Sequence, residues 1–285
     1  MTRDATPPEF TCIADVVGAL RARYAQRRAE RPDAGLAEVQ ERFVRLDLYP
    51  DFGWPLVRAG VHQAVASGDA RVLHEMLVKF VGLSGRAANR FDPDGLHPSS
   101  GADYCLLVPL AVDVAALGDR GLVQRLFHAG RPLSRHGGAA LRHAANLLVL
   151  AISPDWRWRD QALAQANTGL QGKSLARVDR AFLTVFQSFV DDDPAQRRDA
   201  LQEFAGLYTR SDWGRYKPWT QPVFLYGLVS LARWFCPSFD WSAEAAPLFD
   251  ATWRALWTSY EARRGEFDAR ADAFDGDLAF LRCEP

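Results

Sequence analysis

Several short stretches of the chain hold residue types that do chemistry elsewhere, and each lacks something the chemistry needs. Gly169-Leu170-Gln171-Gly172-Lys173-Ser174 ends like a phosphate-binding loop, in which backbone N–H groups and a lysine cradle phosphates. That loop also requires a glycine where Asn167 stands, and a strand leading into it, which the sequence does not predict. The stretch therefore reads as a flexible turn before a helix capped by Ser174. Asp191-Asp192-Asp193 has the carboxylates to gather a hard cation. One turn later stands Ala195, and Pro194 marks a helix start, so the three aspartates read as a capping cluster whose charge suits a helix N-terminus. Asp92, Asp94 and Gly95 imitate a fragment of a calcium loop without its remaining ligands, and His74-Glu75 is followed by Val78 where a zinc motif needs a second histidine. His136 and His143 share a helical spacing but no third ligand. No metal and no cofactor are expected.

Nucleophiles fare no better. Gly-x-Ser-x-Gly, the hydrolase elbow, does not occur. Cys12, Cys105, Cys236 and Cys283 are widely and irregularly spaced, which fits reduced thiols in cytoplasm rather than a zinc site or a disulfide framework. Cys105 and Cys236 sit inside apolar helical patterns and read as buried, inert thiols. Trp156-Arg157-Trp158-Arg159 interleaves cations with aromatics, as base-stacking surfaces do. Four residues in a chain of net charge −1 do not make a nucleic-acid surface, so no direct nucleic-acid binding is expected.

The elements that would have to position these groups are helices. Phe10, Ile13, Val16, Val17, Leu20 and Tyr24 recur at spacings of three and four, and so do Leu36, Val39, Phe43 and Leu46. Leu56, Val57, Val61, Ala64 and Val65 form a third stripe, and Val72, Leu73, Met76, Leu77, Phe80 and Val81 a fourth. Residues 83–100 break the rhythm with turn chemistry, Asn89 to Pro98. Helices are predicted again at about 102–117, 120–129, 138–152, 174–190, 195–209, 220–235 and 243–262. No run alternates as a strand does, and Ala, Leu and Arg dominate.

Three segments repeat one theme. Ala64 to Leu73, Val114 to Val123 and Phe186 to Ala195 each read as helix, tight turn, helix, with Gly or Asp ending one helix and Asp capping the next. Such hairpins bury their apolar faces only by stacking. The expected fold is all-α: an irregular bundle or short solenoid of stacked helical hairpins. It is read as one domain over 1–285, with a possible subdivision near 83–100 into an N-terminal helical section (1–82) and a main helical section (101–262), followed by a polar acidic tail (263–285). With 48% hydrophobic and 24% charged residues the chain has material for an ordinary core, and no stretch is long and apolar enough to span a membrane. Met1 to Pro8 lacks the apolar core of a signal peptide, so a cytoplasmic location is expected. Charge is uneven: residues 120–180 carry a net of +7 and residues 237–285 a net of −5.

Ala181 to Asp193, then Ala200-Leu201-Gln202-Glu203-Phe204 and Tyr208, then Trp213 and Phe224 to Ala232, form a longer pattern: an aromatic-rich helix, an acidic turn, an amphipathic helix, a linker and an apolar helix ending in Leu-Ala. This resembles the C-terminal half of the immunity-protein-49 family of bacterial polymorphic-toxin systems. Ala102 to Gly130, with Leu117-Gly118-Asp119, resembles that family's middle hairpin, and the likeness covers about residues 100–260. It implies an immunity protein that binds and neutralises a cognate toxin, encoded by a neighbouring gene and acting in the cytoplasm, with no catalytic residues of its own. If that toxin has a basic cleft, the acidic cluster Asp191, Asp192 and Asp193 and the acidic C-terminal tail are the groups to fill it, with the loop aromatics Trp213 and Trp219 as anchors and Asp212 beside them as a further partner-binding residue. A helical-repeat adaptor for protein–protein interaction is the alternative, and an enzyme with an unrecognised active site the third reading.

Overall fold

A computed structural model describes residues 10–43, 52–88, 102–211, 213, 220–267 and 278. Among them the regular elements are all helical: α1 (Ile13–Ala29), α2 (Leu36–Phe43), α3 (Trp54–Ser67), α4 (Ala70–Ala88), α5 (Leu107–Leu117), α6 (Arg120–Leu126), α7 (Ala139–Ile152), α8 (Arg159–Gln171), α9 (Arg177–Asp191), α10 (Pro194–Tyr208), α11 (Gln221–Phe235) and α12 (Ala251–Arg263). The fold is all-α, as the apolar spacing predicts. None of these helices is long and apolar enough to cross a membrane.

The three hairpin corners are built from the residues that announce them. Gly68 closes α3 in the left-handed conformation at φ +65°, and the Asp69 carboxylate accepts the Arg71 N–H at 2.8 Å. Gly118, at φ +99°, closes α5, and Asp119 accepts the Leu122 N–H at 2.8 Å. The third corner uses an aspartate for both purposes. Asp192 takes the left-handed conformation at φ +47°, which a short polar side chain tolerates, and Asp193 caps α10 by accepting from the N–H groups of Ala195 and Gln196.

Two segments differ from the expectation. The Gly169 stretch is not a turn throughout: α8 runs through Gly169 to Gln171, and the residue at the N-cap of α9 is Ala176, not Ser174. Only Ala162 and Ala166 are buried on α8, a stripe too thin to register as apolar periodicity. A Cβ at Gly169 would stand 3.1 Å from the His143 ring, so a larger residue there would have to displace that ring slightly. The helix expected from 243 begins instead at Ala251. Pro247 has no N–H to give, and the preceding chain coils as a π-helical turn, Trp241–Ala245, and a 3-10 turn, Ala246–Leu248.

The chain divides into two compact units, Met1–Ala87 with Ala255–Pro285, and Ala88–Arg254. In the first, α1 packs on α2 and α3 through Ile13, Val16, Val17, Leu20 and Tyr24. Gly60 on α3 lets Met76 of α4 approach so closely that a Cβ would lie 2.2 Å from its Cγ. Within the second, α9 packs between α7 and α10, α8 covers α7, and α11 crosses α5. That crossing depends on Gly227, where a Cβ would fall 2.1 Å from the Val112 carbonyl oxygen. Phe182, Phe186, Phe204 and Phe224 form the aromatic core between α9, α10 and α11, each burial worth about 2–3 kcal/mol.

Candidate functional site

The acidic corner after α9 is tied into its own fold. Arg197 is fully buried on α10 and forks onto Glu244, Nε to Oε2 at 2.6 Å and Nη2 to Oε1 at 3.0 Å. The half-buried Asp192 accepts from Arg197 Nη1 at 3.3 Å and from Ser238 Oγ at 2.6 Å. Asp193 caps α10, and Asp191 is exposed. Trp213 donates its Nε1 to Asp179 at 2.8 Å, with its ring 4.4 Å from that of Phe182. Asp179 lies in the first turn of α9 and Asp191 at its last residue, so the two halves of the sequence-predicted site stand about 18 Å apart along one helix. Asp212 and Trp219 lie outside the described residues.

A different region shows a constructed site. Residues 127–138 join α6 to α7 with no regular structure, a longer connection than the few residues most helices need. The loop is held from beneath by Asp103, at the N-cap of a 3-10 turn, Tyr104–Leu106. Asp103 Oδ1 accepts from Ser134 Oγ at 2.5 Å and from the Cys105 N–H at 3.1 Å, and Oδ2 accepts from the N–H groups of Arg135 at 2.7 Å and His136 at 3.1 Å. Asn146, fully buried in the middle of α7, completes the clamp. Its Oδ1 accepts from the Ser134 N–H at 2.8 Å and from Tyr104 Oη at 3.1 Å, while its Nδ2 donates to the Ser134 carbonyl at 3.2 Å. Tyr104 Oη also reaches the Pro132 carbonyl at 3.0 Å, and Trp156 donates its Nε1 to the Arg131 carbonyl at 3.1 Å. Gly137 lets the loop close at φ +110°, with Cys105 Sγ 2.7 Å from where a Cβ would be. Burial pushes the Asp103 carboxyl up, but the hydrogen bonds from Ser134, Arg135, His136 and Cys105 outweigh it and hold the group below its ordinary value.

What the clamp presents outward is basic. Arg135 and His136 are exposed at the loop's crest, and the Arg135 guanidinium lies 6.0 Å from the Trp158 ring centroid. Arg157 lies over the same ring at 5.2 Å, and Arg142 Nη1 donates to the Arg135 carbonyl at 3.0 Å. Arg135, Arg142 and Arg157 have no carboxylate partner among the described residues. The half-buried Trp158 has its Nε1 enclosed with no hydrogen-bond partner. From sequence Trp156 and Trp158 form one interleaved motif. The structure separates them, Trp156 into the core and Trp158 onto the ledge. Asp103, Ser134 and Asn146 carry no motif, though a lone amide inside the apolar run of α7 is a signal that something polar must meet it.

The second unit also holds the groups to test for reaction chemistry. Burial pushes the Cys105 and Cys236 thiols up to about 12, so neither is a thiolate near neutral pH, and it pushes the His143 imidazole down to about 4. Asp113, half-buried on α5, has no hydrogen-bond partner among the described residues, and burial pushes its carboxyl up to about 8. Tyr208 bonds Thr220 Oγ1 at 2.8 Å. Burial raises its hydroxyl to about 12, the Thr220 bond offsets some of that, and the Asp113 charge adds to it. No group of three or more His, Cys, Asp or Glu among the described residues is placed to hold a metal ion. No family model, no curated protein and no solved structure matches the chain.

Proposed function

We propose that this chain acts by binding another protein, as a cytoplasmic antidote that neutralises the toxin encoded beside it. The observation that carries the reading is the clamp. Four buried or half-buried polar side chains, Asp103, Tyr104, Ser134 and Asn146, are committed to fixing one irregular loop. Pre-ordering removes the entropy that a partner would otherwise have to overcome, and it serves recognition rather than core packing. The fixed loop presents Arg135 beside Arg142, Arg157 and Trp158 of the flanking segments, and arginine and tryptophan are the residue types that dominate binding energy at protein interfaces. The likeness of residues 100–260 to the immunity-protein-49 family supports the same reading and gives the partner its class. The test is co-expression with the toxin-domain protein of the neighbouring gene. Restored growth and a co-eluting complex are expected, and growth arrest at the same toxin dose with or without the chain overturns the reading.

One observation favours a second reading, an enzyme. A carboxyl that holds its proton near neutral pH, close enough to Tyr208 for its charge to act on that hydroxyl, is suited to general-acid work. If Asp113→Asn leaves protection intact, that reading loses its only support.

A further inference from the structure

We propose that the ledge formed by Arg135, Arg142, Arg157 and Trp158 is the docking surface, and that its occupant is a carboxylate-rich face of the partner protein. This rests on the binding reading above and adds the place and the chemistry. A guanidinium held at an aromatic ring by cation–π attraction keeps N–H groups free, and these match a carboxylate in a two-pronged fork. Two such guanidiniums lie over the Trp158 indole, at 6.0 and 5.2 Å from its centroid, and a third is drawn in by its bond to the Arg135 carbonyl. None is paired with an acid among the described residues, and unpaired guanidiniums are the groups an acidic partner would engage. The backbone beneath Arg135 is immobilised by Asp103 Oδ2 at 2.7 Å, so the fork is aimed before a partner arrives.

The same geometry argues against a nucleic acid. Base stacking needs the open face of the indole, and two guanidiniums compete for it. Three cations also give a weak hold on a phosphate backbone, because that hold grows with every phosphate neutralised.

The probe is a fluorescein-labelled decaglutamate peptide, set against a labelled dT10 strand, each titrated with the full chain at low ionic strength and followed by anisotropy. Saturable peptide binding is expected, weakened about tenfold or more in the double variant Arg135→Ala/Arg157→Ala. The charge-preserving variant Arg135→Lys/Arg157→Lys should also bind more weakly than the natural chain, since lysine has no fork. Four results each overturn the proposal: no peptide binding, undiminished binding in the alanine variant, natural-strength binding in the lysine variant, or dT10 bound more tightly than the peptide. A chain that protects cells yet fails here sinks the ledge alone. Failed protection sinks the antidote reading whatever the peptide does.

Discussion

Asp103 and Asp113 stand ten residues apart, one at the head of the 3-10 turn and the other inside the helix that follows it, and their carboxyls are driven in opposite directions. Both lose water on folding. Asp103 recovers it with the Ser134 hydroxyl and three backbone N–H groups, and stays ionised. Asp113 recovers nothing from the described residues and is driven to hold its proton. Depth of burial and donor count together therefore decide the state of a carboxyl in this unit: Asp113 is driven by burial with no donor to oppose it, and Asp103 has four donors that outweigh its burial. The consequence for function is a division of labour: the Asp103 region is a fixed support for a surface, whereas Asp113 is a destabilising group that the helices tolerate.

The largest expected effect comes from removing the hub. Asp103→Ala leaves a hydroxyl and three N–H groups without their acceptor, and each buried donor so orphaned costs about 1–3 kcal/mol, less where solvent reaches it. A net loss of about 2–4 kcal/mol in urea unfolding is expected. Amide exchange at Arg135 and His136 should accelerate with it. A loss below about 1 kcal/mol would mean that Asn146 alone holds the loop.

Next in size is a gain. Asp113→Asn replaces a carboxyl that must stay protonated in the folded chain, although it ionises freely in the unfolded one. With the folded pKa at about 8 against an ordinary 3.8, the unfolded state binds fewer protons between those values, so stability falls as pH rises from about 4 to about 8. Because Asp113 is half-buried, solvent screening reduces the full linkage energy, and a gain of about 1–2 kcal/mol at pH 8 is expected for the variant. At pH 4 the gain should vanish. A variant less stable than the natural chain at pH 8 would show that the Asp113 charge is compensated after all.

The acid limb separates the two regions again. Asp103 has a lowered folded pKa, so its contribution is complete above about 3.8 and is lost as pH falls through the folded value. Stability of the natural chain should therefore drop on the acid side through Asp103 and decline gently on the neutral side through Asp113. Asp103→Asn should flatten the first limb and leave the second. If both limbs changed together, the two carboxyls would belong to one coupled network.

This contrast marks the limit of what the sequence shows. The corners at Gly68-Asp69, Gly118-Asp119 and Asp192-Asp193 are legible because a left-handed residue and a helix cap are local chemistry, settled within a few residues. The helix α8 is not legible, because two alanines suffice to bury it against a neighbour that the sequence does not place beside it. Asp103 and Asp113 look alike in sequence, each a single acid near apolar residues. What separates them is whether residues 134–136 arrive beneath the carboxyl, a contact more than thirty residues away along the chain. The acidic cluster Asp191 to Asp193 is conspicuous in sequence, yet Asp192 and Asp193 are turned to Arg197, Ser238 and the start of α10. The basic ledge is hidden in the sequence because Arg135 and Trp158 are brought together by that same distant loop.

The smallest expected effect is the sharpest test of this balance between burial and donors. Ser134→Ala deletes one of the four donors to Asp103 and leaves the three N–H groups in place. The lost hydrogen bond should cost about 1 kcal/mol of stability, a change that many substitutions would produce. The distinguishing readout is the Asp103 carboxyl itself, followed by carbon NMR through an acid titration. Ser134 is the leading hydrogen-bond contribution to its lowered pKa, so its removal should return the pKa some of the way toward the ordinary value, while the loop amides remain protected by the backbone donors. An unmoved carboxyl titration with the same loss of stability would assign Ser134 to packing. The contrast between Asp103 and Asp113 would then have to rest on the backbone N–H groups alone.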